Sequence, residues 1–273
     1  MAELSEIGAI ARRSDPDRFL CALFAPPEKR EALFTLIAFN NELARAREVA
    51  SQPMMALIRL QWWRDSLDEM AAGRPVRRHE VAGPLHALVT AGVLDAADLQ
   101  AMVDAREAEA EEIESRGAFE SYLRGSAGGF SVAAGRLLGA PPALLPALQS
   151  AGAGYGLAGV LRTLPLQARQ GRNLLPVEML AEAGGEAEGI APDAPAVIAV
   201  ARRLAAEALP VLEQARQGLR GLPKTAIAAA LPLVLARRDL GRIAGGANLA
   251  QPPGPRGGVD RLAVAWAGLR GRV

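Results

Sequence analysis

Between its proline and glycine breaks the chain repeats apolar residues every three or four positions, and no strict alternation of apolar and polar residues survives along it. That periodicity predicts helices throughout. Ser14-Asp15-Pro16 has the form of a helix start, a capping residue before a proline. Pro26-Pro27 breaks that helix, and the next is expected over about 28–50, stopped before Pro53. Others are expected over about 54–72, after Gly83-Pro84, over about 95–115 and over about 119–138 with an interruption at Gly128-Gly129. After Pro141-Pro142 a helix leads into the stretch 154–176. There Leu157, Val160, Leu161 and Leu164 share one face, and Pro165, which lacks an N–H, ends or kinks the helix. A Gly/Pro/acidic loop over 184–195 precedes two long helices, about 196–218 and 225–243.

The expected fold is therefore all-α: a single helical domain over residues 1–250, a Pro/Gly-rich tether over 251–258 and a basic amphipathic tail helix over 259–273. The composition agrees. Hydrophobic residues make up 50% of the chain and aromatics 4%, and Ala and Leu outnumber the β-branched residues that strands prefer. A net charge of +1 argues against a nucleic-acid partner. Cys21 is the only cysteine, so no intrachain disulfide forms, as expected of a cytoplasmic protein. The amino-terminal residues include Glu3 and Glu6 and do not read as a signal peptide.

Generic catalytic chemistry is sparse. His79 and His86 have no cysteine or histidine cluster near them in sequence, so no zinc site is expected. Asp104, Glu107, Glu111 and Glu114 would share one face of the 95–115 helix, and a solvated face is the plainer reading than a metal site. Trp62 and Trp63 point about 100° apart on a helix, so at most one of them can face a pocket.

The stretch 154–176 resembles the second signature of the squalene/phytoene synthase family through Leu157, Leu161, Arg162, Gly171, Arg172, Leu175 and Pro176. Residues 30–39 resemble the first. Gln61-Trp62-Trp63-Arg64-Asp65, Gly73-Arg74-Pro75-Val76, Tyr122 with Ala127-Gly128, and Gly139 resemble further segments, so the likeness runs from about 15 to 245. It implies an isoprenoid-synthase-type helical bundle. Members of that family join two prenyl diphosphates head to head, with Mg²⁺ held between two Asp-rich clusters on facing helices. The metal neutralises the departing diphosphate.

At the positions that the resemblance assigns to those aspartates, this chain has Ala44, Arg45, Glu48, Thr163 and Gln167. Leu166 replaces a glutamate, and Gly156 and Gly159 replace a glutamine and an asparagine. Two like charges about 4 Å apart cost roughly 4 kcal/mol at a surface-like dielectric, so a magnesium ion beside Arg45 would be repelled. The resemblance therefore implies no catalytic residue, no metal ligand and no cofactor. Asn41, Arg45, Tyr122, Gly128, Arg162 and Arg172 become candidates for binding a prenyl diphosphate or isoprenoid lipid. Arg45, Arg47, Arg162 and Arg172 could grip phosphate oxygens directly. The plainer reading leaves Arg45 and Arg47 in solvent.

One branch of the family resembles this chain in these departures, through Phe39, Asn40, Glu42, Leu43 and Ala44, through Gln61, and through Leu161, Arg162 and Pro165. It includes a mitochondrial complex I assembly factor and its bacterial relatives, which implies respiratory complex subunits as partners. Three functions stand open: a non-catalytic assembly protein, a prenyl transferase with an altered Mg²⁺ site, and a prenyl-lipid binding module. The tail over 259–273 sets Arg261, Arg270 and Arg272 beside Leu262, Val264, Trp266 and Leu269. It either touches a membrane, peripheral to the inner membrane, or docks on the bundle.

Overall fold

The computed structural model describes residues 4–50, 52–185, 191–252 and 254–273. Helix accounts for 73% of the chain and no strand occurs among the described residues, so the core is built from helix against helix. The helices are α1 (Glu6–Ser14), α2 (Pro16–Ala22), α3 (Pro27–Glu48), α4 (Pro53–Ala71), α5 (Ala82–Thr90), α6 (Ala96–Ala105), α7 (Arg116–Leu123), α8 (Gly129–Leu137), α9 (Leu145–Arg162), α10 (Leu164–Arg169), α11 (Val177–Glu182), α12 (Pro195–Gly218), α13 (Ile227–Ala230), α14 (Pro232–Ala244) and α15 (Gly258–Arg270). The loop expected over 184–195 falls partly on 186–190, outside the described residues.

Capping and proline chemistry set most of the starts. Asp15 and Asp95 accept from the backbone N–H groups of Arg18 and Ala97, which opens α2 and α6. Proline stands in the first turn of α2, α3, α4, α12 and α14, where its missing N–H leaves no bond unmade.

Helix α9 is the axis of the bundle. It packs against α8, α12, α14 and the turn at 124–128. Pro142–Arg162 is the one segment among the described residues long and apolar enough to cross a membrane, and here it supplies this central helix. Gly152 allows the close approach: a Cβ there would overlap the Ser131 side chain and the Ala127 carbonyl oxygen. The interruption expected at Gly128-Gly129 is a single π-helical turn over Arg124–Gly128 that joins α7 to α8 without breaking the rod. A Cβ on Gly128 would come within 2.9 Å of the Gln149 carbonyl oxygen, so this glycine sets the spacing between the turn and α9.

The helix expected over 95–115 ends at Ala105 and passes into a 3-10 turn, Arg106–Glu109. The acidic row is therefore not on one helix face: Asp104 and Glu107 pair with Arg64 of α4, at 2.5 and 2.7 Å. The end expected near Pro165 is there: α9 stops at Arg162 with Thr163 as its cap, and α10 starts afresh with Pro165 in its first turn. The tryptophans pack at the far side of α4. Trp63 is buried against Phe39, and Trp62 lies under Arg77 with the His79 ring tilted beside it.

The last helix packs on the body against α2 and α14. Its Asp260 is buried and accepts from Arg238 at 2.6 Å and Arg242 at 2.5 Å. Arg256, in the segment read as a tether, is only 8% exposed at its side chain. It pairs with Asp17 of α2 at 2.8 Å and Asp239 of α14 at 2.7 Å. The Arg242 hydrogen bond, joined by Arg238 and opposed by burial, holds the Asp260 carboxyl down at about 2, against an ordinary 3.8. A carboxyl lowered in the folded state contributes stability above its unfolded value and loses it as pH falls through the folded one. Asp260→Asn should therefore cost about 2 kcal/mol at neutral pH, roughly half that at about pH 3 and little below about pH 2, compared by urea denaturation at each pH.

Candidate functional site

A cavity of about 320 Å³ opens where α3, α7, α9 and α10 meet the 3-10 turn after α6. Asn41, Ala44 and Glu48 reach it from α3, Tyr122 from α7, Thr163 and Gln167 from the α9–α10 junction, and Arg172 from the loop beyond. The two pairs that the sequence sets four residues apart, Ala44 with Glu48 and Thr163 with Gln167, thus line one space from two sides. That follows from helix geometry, since residues four apart share a face.

Three of the candidate residues are elsewhere. Arg45 is 52% exposed at its side chain and meets Glu42 at 3.4 Å, outside the cavity lining, because its helix position turns it toward solvent. Arg162 reaches into a neighbouring cavity, where Asp239 lies 3.5 Å and Asp17 3.9 Å from its guanidinium. Gly128 has no side chain to offer and serves the packing of the π turn. Arg47 donates to the Ala50 carbonyl, and burial together with Arg172 pushes its pKa down.

The polar floor of the cavity joins two of the candidates, Tyr122 and Arg172, to Arg106 and Glu109, which the sequence did not mark as site residues. Glu109 is 6% exposed. One of its oxygens accepts from Tyr122 at 2.7 Å and from Arg106 at 2.5 Å, and the other meets Arg172 at 3.3 Å. Burial would push the Arg106 guanidinium down, but Glu109 beside it outweighs that and leaves it raised. Burial, and then the Glu109 carboxylate, push the Tyr122 phenol far up, so it stays a hydrogen-bond donor. Glu48 sits at the rim: its residue surface is largely open, yet its carboxyl is crowded enough by protein that burial raises its pKa.

Thr163 and Gln167 turn back on their own backbone. Thr163 donates to the Gly159 carbonyl at 2.8 Å. Gln167 donates to the Val160 carbonyl at 2.9 Å and to Thr163 Oγ1 at 2.9 Å. They satisfy acceptors that the end of α9 leaves open. Three cations (Arg18, Arg106, Arg172) and three acids (Asp15, Glu48, Glu109) line the cavity, so its formal charge balances. Arg18 lies over the rings of Phe130 and Tyr155 and pairs with Asp15 at 3.1 Å. The Nε atoms of Arg18 and Arg106 and the Gln167 Oε1 are buried without a hydrogen-bond partner among the described residues. No group of three or more His, Cys, Asp or Glu among those residues is placed to hold a metal ion.

This helical frame is of the isoprenoid-synthase type. The squalene/phytoene synthase profile matches residues 11–252, and the chain belongs to that family. The fold is similar to a dehydrosqualene synthase in complex with ligand, at a TM-score of 0.79 and 17% identity over 97% of this chain and 94% of that one. It is similar also to squalene synthase HpnC from Alicyclobacillus acidocaldarius, at 0.71 and 15% over 90% and 94%. Among sequence relatives, the Drosophila melanogaster homolog of NADH dehydrogenase (ubiquinone) complex I, assembly factor 6 is 30% identical over 193 residues, 67% of this chain and 57% of that protein. The Mus musculus protein of that name is 26% identical over 178 residues, 64% and 53%. The matched spans cover little more than half of these relatives' length.

Glu109→Gln should destabilise the fold by about 3–5 kcal/mol, because Arg106 and Arg172 would stay buried with their countercharge gone. Tyr122→Phe, which removes one neutral donor, should cost only about 1–2 kcal/mol in the same denaturation series.

Proposed function

We propose that this protein is a non-catalytic member of the squalene/phytoene synthase family that acts in assembly of a respiratory membrane complex of the complex I type, working from the cytoplasmic side. The observation that carries the reading is the chemistry of the cavity wall. Magnesium takes oxygen ligands, anionic ones foremost, in a near-octahedral shell. Ala44 offers no ligand, the Thr163 hydroxyl is engaged with the backbone, Gln167 leaves only one neutral oxygen free, and both oxygens of Glu109 meet cations. The donor set does not suit a cluster of divalent ions. The similarity to complex I assembly factor 6 proteins from fly and mouse supports the assembly role.

Deleting the gene should lower NADH:quinone oxidoreductase activity in membranes, and a plasmid copy carrying Glu48→Gln should restore it. Purified protein given farnesyl or geranylgeranyl diphosphate with Mg²⁺ should release no pyrophosphate. Steady release, or membranes unaffected by the deletion, would count against the reading.

The unpaired Nε atoms of Arg18 and Arg106 favour a second reading, in which the cavity holds a prenyl diphosphate or related lipid without ionising it. Any ligand of the native state raises the melting temperature, by about 2.7 kcal/mol of added stability at a hundredfold excess over Kd. Farnesyl diphosphate in EDTA should then raise it, and no rise at saturation would remove this reading.

A further inference from the structure

Independently of the cavity, the outer face of α15 presents four large apolar side chains to solvent. Val259 is 67% exposed, Leu262 71%, Trp266 60% and Leu269 74%. Their spacing places them in one stripe, at about 100° per residue, on the side opposite buried Asp260, Val264 and Ala267. The helix is not a loose tail that exposes these residues by default. Asp260 is tied to Arg238 and Arg242, Gly268 lies against the Phe24 ring and Gly271 against the Lys224 side chain. The body therefore holds the stripe outward.

The charges around it have one sign. Arg261 and Arg270 flank the stripe on either side and Arg272 follows the helix. All three are exposed, and none is in an ion pair among the described residues. Arg270 lies over the Trp266 ring at 4.5 Å. Arg237, Arg238, Arg270 and Arg272 line a groove of about 680 Å³ beside Trp266. Glu213 pairs with Arg237 at 3.3 Å, while the one acid on α15, Asp260, faces inward. A second copy seated on this stripe would have to bring arginines near arginines, with no acid from the same face of α15 to meet them.

We infer that α15 is a membrane-docking element that lies in the plane of an anionic bilayer. Val259, Leu262, Trp266 and Leu269 enter the acyl boundary, and the flanking arginines meet lipid phosphates. An apolar stripe edged by arginines, with a tryptophan at the boundary, is the arrangement that binds such an interface. The docked helix fixes the orientation of the whole bundle on the membrane.

The test is flotation of the full-length protein with vesicles of equal parts phosphatidylcholine and phosphatidylglycerol, and with vesicles of phosphatidylcholine alone. The protein should float with the anionic vesicles and stay behind with the neutral ones, and added salt should weaken the binding. Leu262→Gln and Leu269→Gln should each weaken partitioning about tenfold, the effect of withdrawing one aliphatic side chain from an apolar phase. Arg270→Gln with Arg272→Gln should weaken it on anionic vesicles only. These side chains are solvent-exposed, so an unchanged melting temperature confirms that each variant is folded. Trp266 emission should shift to the blue on the anionic vesicles, a change missing from Trp266→Phe. Absence of flotation, or flotation indifferent to the leucine substitutions, would overturn the inference. So would a dimer in sedimentation velocity that the leucine substitutions dissolve, since the stripe would then be a contact between copies.

Discussion

The carboxylate of Glu109 is the constraint on which the candidate site depends. Taking one carboxylate and two guanidiniums out of water costs several kcal/mol per ion, and their mutual attraction offsets that cost only where geometry and hydrogen bonding are good. Here the carboxylate has three partners from three parts of the chain. Arg106 lies on the same 3-10 turn, Tyr122 on α7, and Arg172 on the loop after α10. The cluster fixes where these segments meet, and that meeting place is the cavity floor. It also gives the cavity its electrostatic character. A floor with two guanidiniums against one carboxylate is a poor host for a divalent cation, whatever the rim offers. Apolar packing around α9 builds the bundle, but it does not determine what this interior can bind.

A second buried ionic cluster does comparable work at the carboxyl-terminal side. Arg256 joins Asp17 of α2 to Asp239 of α14, and Asp239 and Asp260 also meet Arg242. The segment 251–258, rich in proline and glycine, would be a free linker by composition alone. One arginine, nearly buried at its side chain, turns it into a strap. Hydrophobic burial adds to this through Val264 and Ala267, but it is non-directional, whereas the ion pairs fix which way α15 is rolled on the body. That roll is what places the Val259 to Leu269 stripe outward.

The helical fold was legible because it rests on apolar spacing and proline punctuation, both local properties of the chain. The cavity was legible in part, through the resemblance: Asn41, Ala44, Glu48, Tyr122, Thr163, Gln167 and Arg172 do line one space. The carboxylate at the centre of its floor was not. Glu109 stands in a run of acidic residues that has the composition of a solvated face, and no glycine or proline marks the end of α6 just before it. Only the change to a 3-10 turn swings Glu109 inward beside Arg106. Arg162 fails for a related reason. Its place at the end of α9 can be read from the sequence, but its direction is set by Asp17 and Asp239, which lie far off along the chain. Charged residues are hard to place from sequence because their partners, rather than their own helix, decide where they point.

Helix α2 borders both the cavity and the second ionic cluster. Arg18 and Asp15, at its start, line the cavity, while Asp17 between them in sequence faces the Arg256 strap. Tyr155 of α9 reaches toward Asp17 with its hydroxyl and offers its ring to Arg18. A short helix that lines the cavity through Arg18 and meets the strap through Asp17 cannot shift toward one without disturbing the other, because well-packed contacts tolerate little displacement. The cavity wall and the seat of α15 are therefore parts of one rigid assembly. On this scaffold, the cavity wall and the seat of α15 share one short helix, α2.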